Sequence, residues 1–216
     1  MHPSPPPAIS GATVTASVCN RSSGRNPMNR RAVLASLVTG LCCPAVLRAQ
    51  TNPAGTGSVL NAWRFQFPAL KGGEISLAAY ANKPILISNT ASFCGFASQL
   101  EGLEQLATRY GPRGLVVIGV PSGDFGGQEA DSSEEIAHQA EKGHGTRFPL
   151  TTKQHVKGED AHPFFKWAAI QKPNDLPRWN FHKYLIGRDG QIAAVFGTMT
   201  SPNDTKVIAA IAKELA

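Results

Sequence analysis

Cys94 is placed for nucleophilic chemistry. It stands between a short apolar run, Ile85-Leu86-Ile87, and the stretch Ser98–Tyr110, in which Leu100, Leu103, Leu106 and Tyr110 recur at helical spacing. The run has the composition of a buried strand, and the spacing after it predicts a helix. Ser98 and Glu101 match a capping box at the start of that helix. A thiol at such a junction lies above a helix N-terminus, where the dipole favours an anion and hence the thiolate, the form of cysteine that attacks. A dithiol pair would need a second cysteine three residues on, and that position is Ala97. Disulfide exchange by an internal pair is excluded. What remains is attack by one sulfur on an external electrophile, or inert burial as a small hydrophobe. The six histidines show no ligand spacing, so no metal site is expected.

The elements that must position this sulfur follow from periodicity and turn residues. A second apolar run, Leu115–Val120, completes a β-α-β unit with parallel strands and a right-handed crossover. Cys94 then lies at the carboxyl edge of the sheet, where ligands bind in open α/β folds. Upstream, Trp63–Phe67 and Glu74–Leu77 flank Gly72-Gly73 and read as a hairpin. Downstream, Pro121–Glu129 is a loop by composition, and Ser132 with Glu135 forms a second capping box for a helix to about Lys142. Phe148–Thr152 reads as a short strand, His162–Ile170 as a short helix and Lys172–Pro177 as a loop. Lys183–Ile186 and Gln191–Phe196 flank the turn signal Arg188-Asp189-Gly190. Ser201-Pro202 is expected to cap a last helix with Val207, Ile211 and Leu215 inward. The fold class is α/β: a thioredoxin-like fold with a central mixed sheet flanked by helices and an N-terminal β-hairpin.

A chain of 216 residues with 42% apolar content is long enough for one domain with a sizeable core. Its net charge of +6 is uneven, because residues 1–49 carry five arginines and no acid. The remaining 16 basic and 15 acidic residues nearly cancel, which gives no support for binding nucleic acid or an anionic membrane. Met28–Ala49 has the basic start, short apolar middle and small terminal residue of an export signal, and it is too short and broken to span a bilayer. Arg30-Arg31 before Val33 and Leu34 fits the twin-arginine type; a general secretory signal with two arginines is the plainer reading. Leu41 before Cys42 is too bulky for lipoprotein processing. The expected organisation is therefore an extension or mis-called start over 1–27, a signal peptide over 28–49, and one domain over 50–216 destined for a bacterial periplasm. Cleavage near Ala49 would remove Cys19, Cys42 and Cys43 and leave Cys94 as the only thiol, so no intrachain disulfide is expected.

Several motifs in order then carry a resemblance. Asn89-Thr-Ala-Ser-Phe-Cys94-Gly-Phe, Gly102-Leu-Glu, Phe125-Gly-Gly-Gln128-Glu, Ala161-His-Pro and Trp179-Asn180-Phe181 resemble the successive signatures of the glutathione peroxidase family. The match spans roughly Phe65 to Leu215. The resemblance implies that Cys94 takes the place of the peroxidatic cysteine or selenocysteine, and that Gln128, Trp179 and Asn180 are the polar partners around it. A thiolate attacking a peroxide needs its negative charge and that of the departing alkoxide stabilised. Amide and indole N–H groups do this without competing as anions. His162, in the His-Pro pair, reads as structural, and Arg178 is a candidate for placing an acidic thiol donor.

One departure bears on the reductant. Many cysteine-type members carry a resolving cysteine, and where the loop after the second strand would hold it this chain has Ser122. Oxidation should then stop at a Cys94 sulfenic acid, reduced by an external thiol such as glutathione. The segment between Ile170 and Arg178 is short, whereas tetrameric members carry an insertion there, so a monomer is expected. The reading is an exported thiol-dependent peroxidase acting on hydrogen peroxide or organic hydroperoxides, with no bound cofactor. The alternative is a non-enzymatic redox sensor that forms one mixed disulfide with a partner.

Overall fold

The computed structural model describes residues 60–216. The expected extension and signal peptide, with the first residues of the expected domain, lie outside the described residues.

The first hairpin pairs β1 (Gln66–Pro68) with β2 (Glu74–Ser76) in antiparallel register, Phe67 opposite Ile75. Gly72 and Gly73, at φ 92° and 77°, supply the left-handed turn that other residues resist. The expected strand start at Trp63 is instead a 3-10 turn, Ala62–Arg64. The Ala62 N–H donates to Gly190 O, and the Trp63 ring lies where a Cβ on Gly190 would sit, so this segment curls against a distant turn instead of extending.

The main sheet has the order β4-β3-β5-β6. Its central strand is β3 (Ile85–Thr90), buried at every position, which is why its sequence reads as a continuous run with no alternation. β4 (Val116–Pro121) lies parallel to it across the expected crossover, while β5 (Lys183–Ile186) pairs antiparallel on the other side and β6 (Ile192–Phe196) closes the sheet. Strand alternation splits the core. Leu86, Val117 and Leu185 face α1 (Gln99–Tyr110) and α4 (Thr205–Glu214), whose Leu100, Leu103, Leu106, Val207 and Ile211 cover them. Ile85, Ile87, Ile118 and Tyr184 face α3 (Pro163–Gln171), with Phe164, Phe165 and Trp167, and the hairpin's Phe67. Each such side chain removed from water contributes about 1.5–3 kcal/mol.

Phe148–Thr152 forms only isolated bridges, one to Gly119 and one to Ala69. Pro149 has no N–H, so the strand cannot continue its ladder. α2 (Ser133–His138) runs into a π turn, Gln139–Gly143, and the Ser132 Oγ accepts from the Glu135 N–H as the capping box predicts. The other two expected caps are displaced. Ser98 is already helical and makes no side-chain cap, while Glu101 turns to His144 at 3.3 Å. α4 is capped by Asp204, whose carboxylate accepts from Lys206 N–H, so Ser201-Pro202 belongs to the preceding turn.

Candidate active site

Cys94 follows β3 by four residues, in a series of i to i−3 turns that leads into α1. Ala97 N–H donates to Cys94 O, Gln99 N–H to Phe96 O and Leu100 N–H to Ala97 O. These turns do the work expected of the Ser98 cap. Cys94 is 6% exposed and belongs to the apolar cluster of Leu86, Ala91, Ala97, Leu100 and Phe181; it is the free cysteine of the described residues.

The loop after β4 is laced to the cysteine loop. Ser122 N–H donates to Thr90 O, continuing the β3–β4 ladder, and Phe93 N–H donates to Gln128 O at 2.9 Å. Between these points Gly126 and Gly127 adopt φ of 74° and 63°, turning the chain back so that Gln128 returns toward the cysteine loop. Asp124 fixes the outer side, accepting from Val156 N–H at 2.6 Å and His155 Nδ1 at 2.7 Å. Burial alone would raise the Asp124 carboxyl, but these donors hold it below its ordinary value.

The third segment, Trp179-Asn180-Phe181, is held by Asn89 from within β3. Asn89 Nδ2 donates to Trp179 O, its Oδ1 accepts from His182 N–H and its backbone O accepts from Phe181 N–H at 2.7 Å. Phe181 sits at φ 62°, a left-handed kink that these bonds enforce. Asn180 is fully buried. Its Nδ2 donates to Gln128 Oε1 at 3.1 Å, and its Oδ1 has no partner. With Oε1 engaged, Nε2 is the end of the Gln128 amide able to donate to a ligand. Trp179 is 40% exposed, with its ring 5.9 Å from Phe125. The structure thus brings Gln128 and Asn180 together directly, ties their loops to the residues beside Cys94, and leaves Trp179 at the rim. The hydrogen bonds of the described residues include none to Cys94 Sγ.

Sequence reasoning missed most of what holds these groups. Thr198 Oγ1 donates to Asn180 O at 2.7 Å, and Gln99 Nε2, at the start of α1, donates to Thr198 O at 2.7 Å. Lys183, fully buried, donates from Nζ to Phe181 O and Thr200 O. Burial pulls its ammonium down to about 7. A polar Asn89 inside an apolar strand and a lysine heading another were the available signals, since both are depleted at such positions. Arg178 is exposed on a cleft of about 200 Å³ that also includes His182 and Thr198. His162 accepts from Phe164 N–H at the start of α3, donates from Nε2 to Gln66 O and stacks on Phe67.

Comparison with known proteins identifies the family. A family model described as glutathione peroxidase matches residues 62–169. Hydroperoxy fatty acid reductase Gpx2 of Synechocystis is 42% identical over 146 residues, covering 68% of this chain and 94% of that protein. The crystal structure of Trgpx in its apo form matches with a TM-score of 0.59 at 31% identity, covering 72% of this chain and 96% of that one. A thioredoxin-family thiol:disulfide interchange protein from Chlorobium tepidum matches with a TM-score of 0.53 at 15% identity, over 70% of this chain and 93% of that one. This last likeness is one of fold alone.

Proposed function

This chain belongs to the glutathione peroxidase family and is a thiol-dependent peroxidase, and we propose that Cys94 is the sulfur that turns over, with Gln128, Trp179 and Asn180 as its donor groups. The observation that carries this is the double tie between loops: the backbone of Phe93, next to Cys94, is bonded to Gln128, and the Gln128 side chain is bonded to Asn180.

The Cys94 thiolate attacks one peroxide oxygen. A sulfur–oxygen bond forms, the oxygen–oxygen bond breaks, sulfur loses two electrons, and the departing alkoxide or hydroxide takes a proton to leave as alcohol or water. Donors aimed at the leaving oxygen stabilise that charge, and removing one such donor typically costs about 2.7–4 kcal/mol of transition-state stabilisation. An external thiol then displaces water from the sulfenic acid to give a mixed disulfide, and a second thiol releases the enzyme with formation of the small disulfide. Hydrogen peroxide and organic hydroperoxides are both within this chemistry. Ser122 is buried and its Oγ accepts from Asp124 N–H, so no sulfur stands there to resolve the sulfenic acid internally.

Stopped-flow oxidation tests the assignment. Cys94→Ser should consume no peroxide. Gln128→Ala and Trp179→Phe should slow the first oxidation by about 10²-fold, at the low end of the effect of losing one preorganised donor. Wild-type rates in those two variants would discard their donor roles.

The reading includes export to a periplasm through residues 28–49 and action as a monomer. The paired arginines, short apolar segment and small residue at Ala49 support the first. N-terminal sequencing of the protein recovered from a periplasmic fraction, and its mass in solution, test both.

A further inference from the structure

Glu129 is a buried acid that the peroxidase chemistry does not use. It follows Gln128, is 5% exposed, and its Oε1 accepts two backbone N–H groups, from Ala130 at 2.9 Å and from Ser92 at 3.3 Å. Ser92 and Phe93 precede Cys94 directly. Their consecutive N–H groups are therefore taken by consecutive residues of the opposite loop, Ser92 by the Glu129 side chain and Phe93 by the Gln128 backbone. No cationic side chain bonds to the carboxylate among the described residues. Lys153 Nζ donates instead to Glu129 backbone O at 3.3 Å and to Asp131 Oδ1 at 2.8 Å. Burying a carboxylate without an ion-pair partner is costly, and such a group persists where the N–H groups it accepts must be held.

We propose that Glu129 is a positioning residue for the peroxidatic loop: its carboxylate oxygen fixes the Ser92 N–H and so sets the placement of Cys94 relative to Gln128. The inference rests on Cys94 and Gln128 being the nucleophile and its donor. Displacing a nucleophile by about 1 Å can cost about 10²-fold in rate, so the loop's hold bears directly on turnover. Burial raises the Glu129 carboxyl above its ordinary range, opposed by the Ser92 and Ala130 bonds and the Lys153 charge. Lys153 and the Ser92 hydroxyl are the charged and polar side chains that bear on it from the neighbouring segments, and Asp131 holds the Lys153 ammonium.

The test is the rate of Cys94 oxidation by hydrogen peroxide in Glu129→Ala and Glu129→Gln, with amide NMR titration of the wild-type protein. Glu129→Ala should be slower by at least about tenfold, and Glu129→Gln, which keeps an acceptor oxygen, should recover most of that loss. In the wild type, the Ser92 and Ala130 amide resonances should shift together with one midpoint, above the ordinary carboxyl range. Wild-type oxidation in Glu129→Ala overturns the proposal. So does a Glu129→Gln variant as slow as Glu129→Ala, because charge and not the acceptor would then matter. Should neither variant fold, the wild-type amides decide alone, and independent midpoints for Ser92 and Ala130 sink it. The titration is read without peroxide, so a wild-type protein that consumed none would remove the peroxidase reading and leave the clamp itself to stand or fall on its own signal.

Discussion

His182 is buried just before β5 with its ring 4.7 Å from that of Tyr184, and burial, followed by the neighbouring Lys183 charge, lowers it to about 4. The folded chain therefore favours the neutral ring. The stability this gives is complete above about 6.5, the ordinary imidazole value, and is lost as pH falls through about 4. Urea midpoints should decline over that interval, and His182→Gln should flatten the decline; parallel curves for the two proteins would assign it to another group. Glu129 has the opposite sign. Its carboxyl is raised, so its contribution is complete below the ordinary carboxyl range and is lost as pH rises through the raised value. Glu129→Gln should thus resist urea better than wild type near neutrality, with the gap closing in acid, and equal midpoints at both would contradict the burial. At this scale the sequence displayed the candidate nucleophile and hid the bonds that hold its surroundings. Cys94 was legible because a lone thiol between strand and helix has few uses. Asn89 and Lys183 were not, because periodicity records which face is apolar and says nothing of which carbonyl a buried polar atom will reach.

Loops carry the site and strands carry the loops. The segment after β6 is the least conspicuous of these, yet Thr198 joins Gln99 at the head of α1 to the backbone of Asn180. Thr198→Val keeps the shape and removes the hydroxyl, leaving Asn180 O without that donor. Oxidation of Cys94 should slow severalfold while thermal stability drops by about 1–3 kcal/mol, the cost of an unsatisfied buried acceptor; an unchanged rate in stopped flow would show that Asn180 needs no such tie. Gly119 in β4 makes a different prediction. A Cβ there would lie 2.5 Å from Leu150 Cδ2 and 3.1 Å from Phe148. Gly119→Ala should destabilise by about 1–3 kcal/mol through overpacking, read as a lowered melting temperature. Strands and helices were well foreseen because their apolar spacing is local. Their ends were not: Ser98 had a capping pattern, but the turns from Cys94 onward already satisfied the helix start, and Asp204 lay better placed than Ser201.

For the molecule as a whole, the lone cysteine of the described residues determines which disulfides the oxidised protein can form. After one equivalent of peroxide, mass spectrometry should find Cys94 one oxygen heavier, then a mixed disulfide once a small thiol is added. An intramolecular disulfide at that stage would contradict the single-thiol cycle. The β-α-β unit and both hairpins were readable because each is closed by neighbours in sequence. The pairing of β3 with β5 was less so, since Lys183–Ile186 is antiparallel to a strand from a remote part of the chain and no local signal encodes that register.

That remote pairing also orders events in time. During synthesis β3 and β4 emerge close together, but the other edge of β3 has no mate until β5 has been made. Asn89 cannot grip the Trp179 segment before then, and Phe181 cannot yet pack in the cluster that buries the sulfur. Cys94 is thus synthesised well before Phe181 and β5, which cover it, so a nascent chain carries its thiol exposed to oxidant until that later segment has paired.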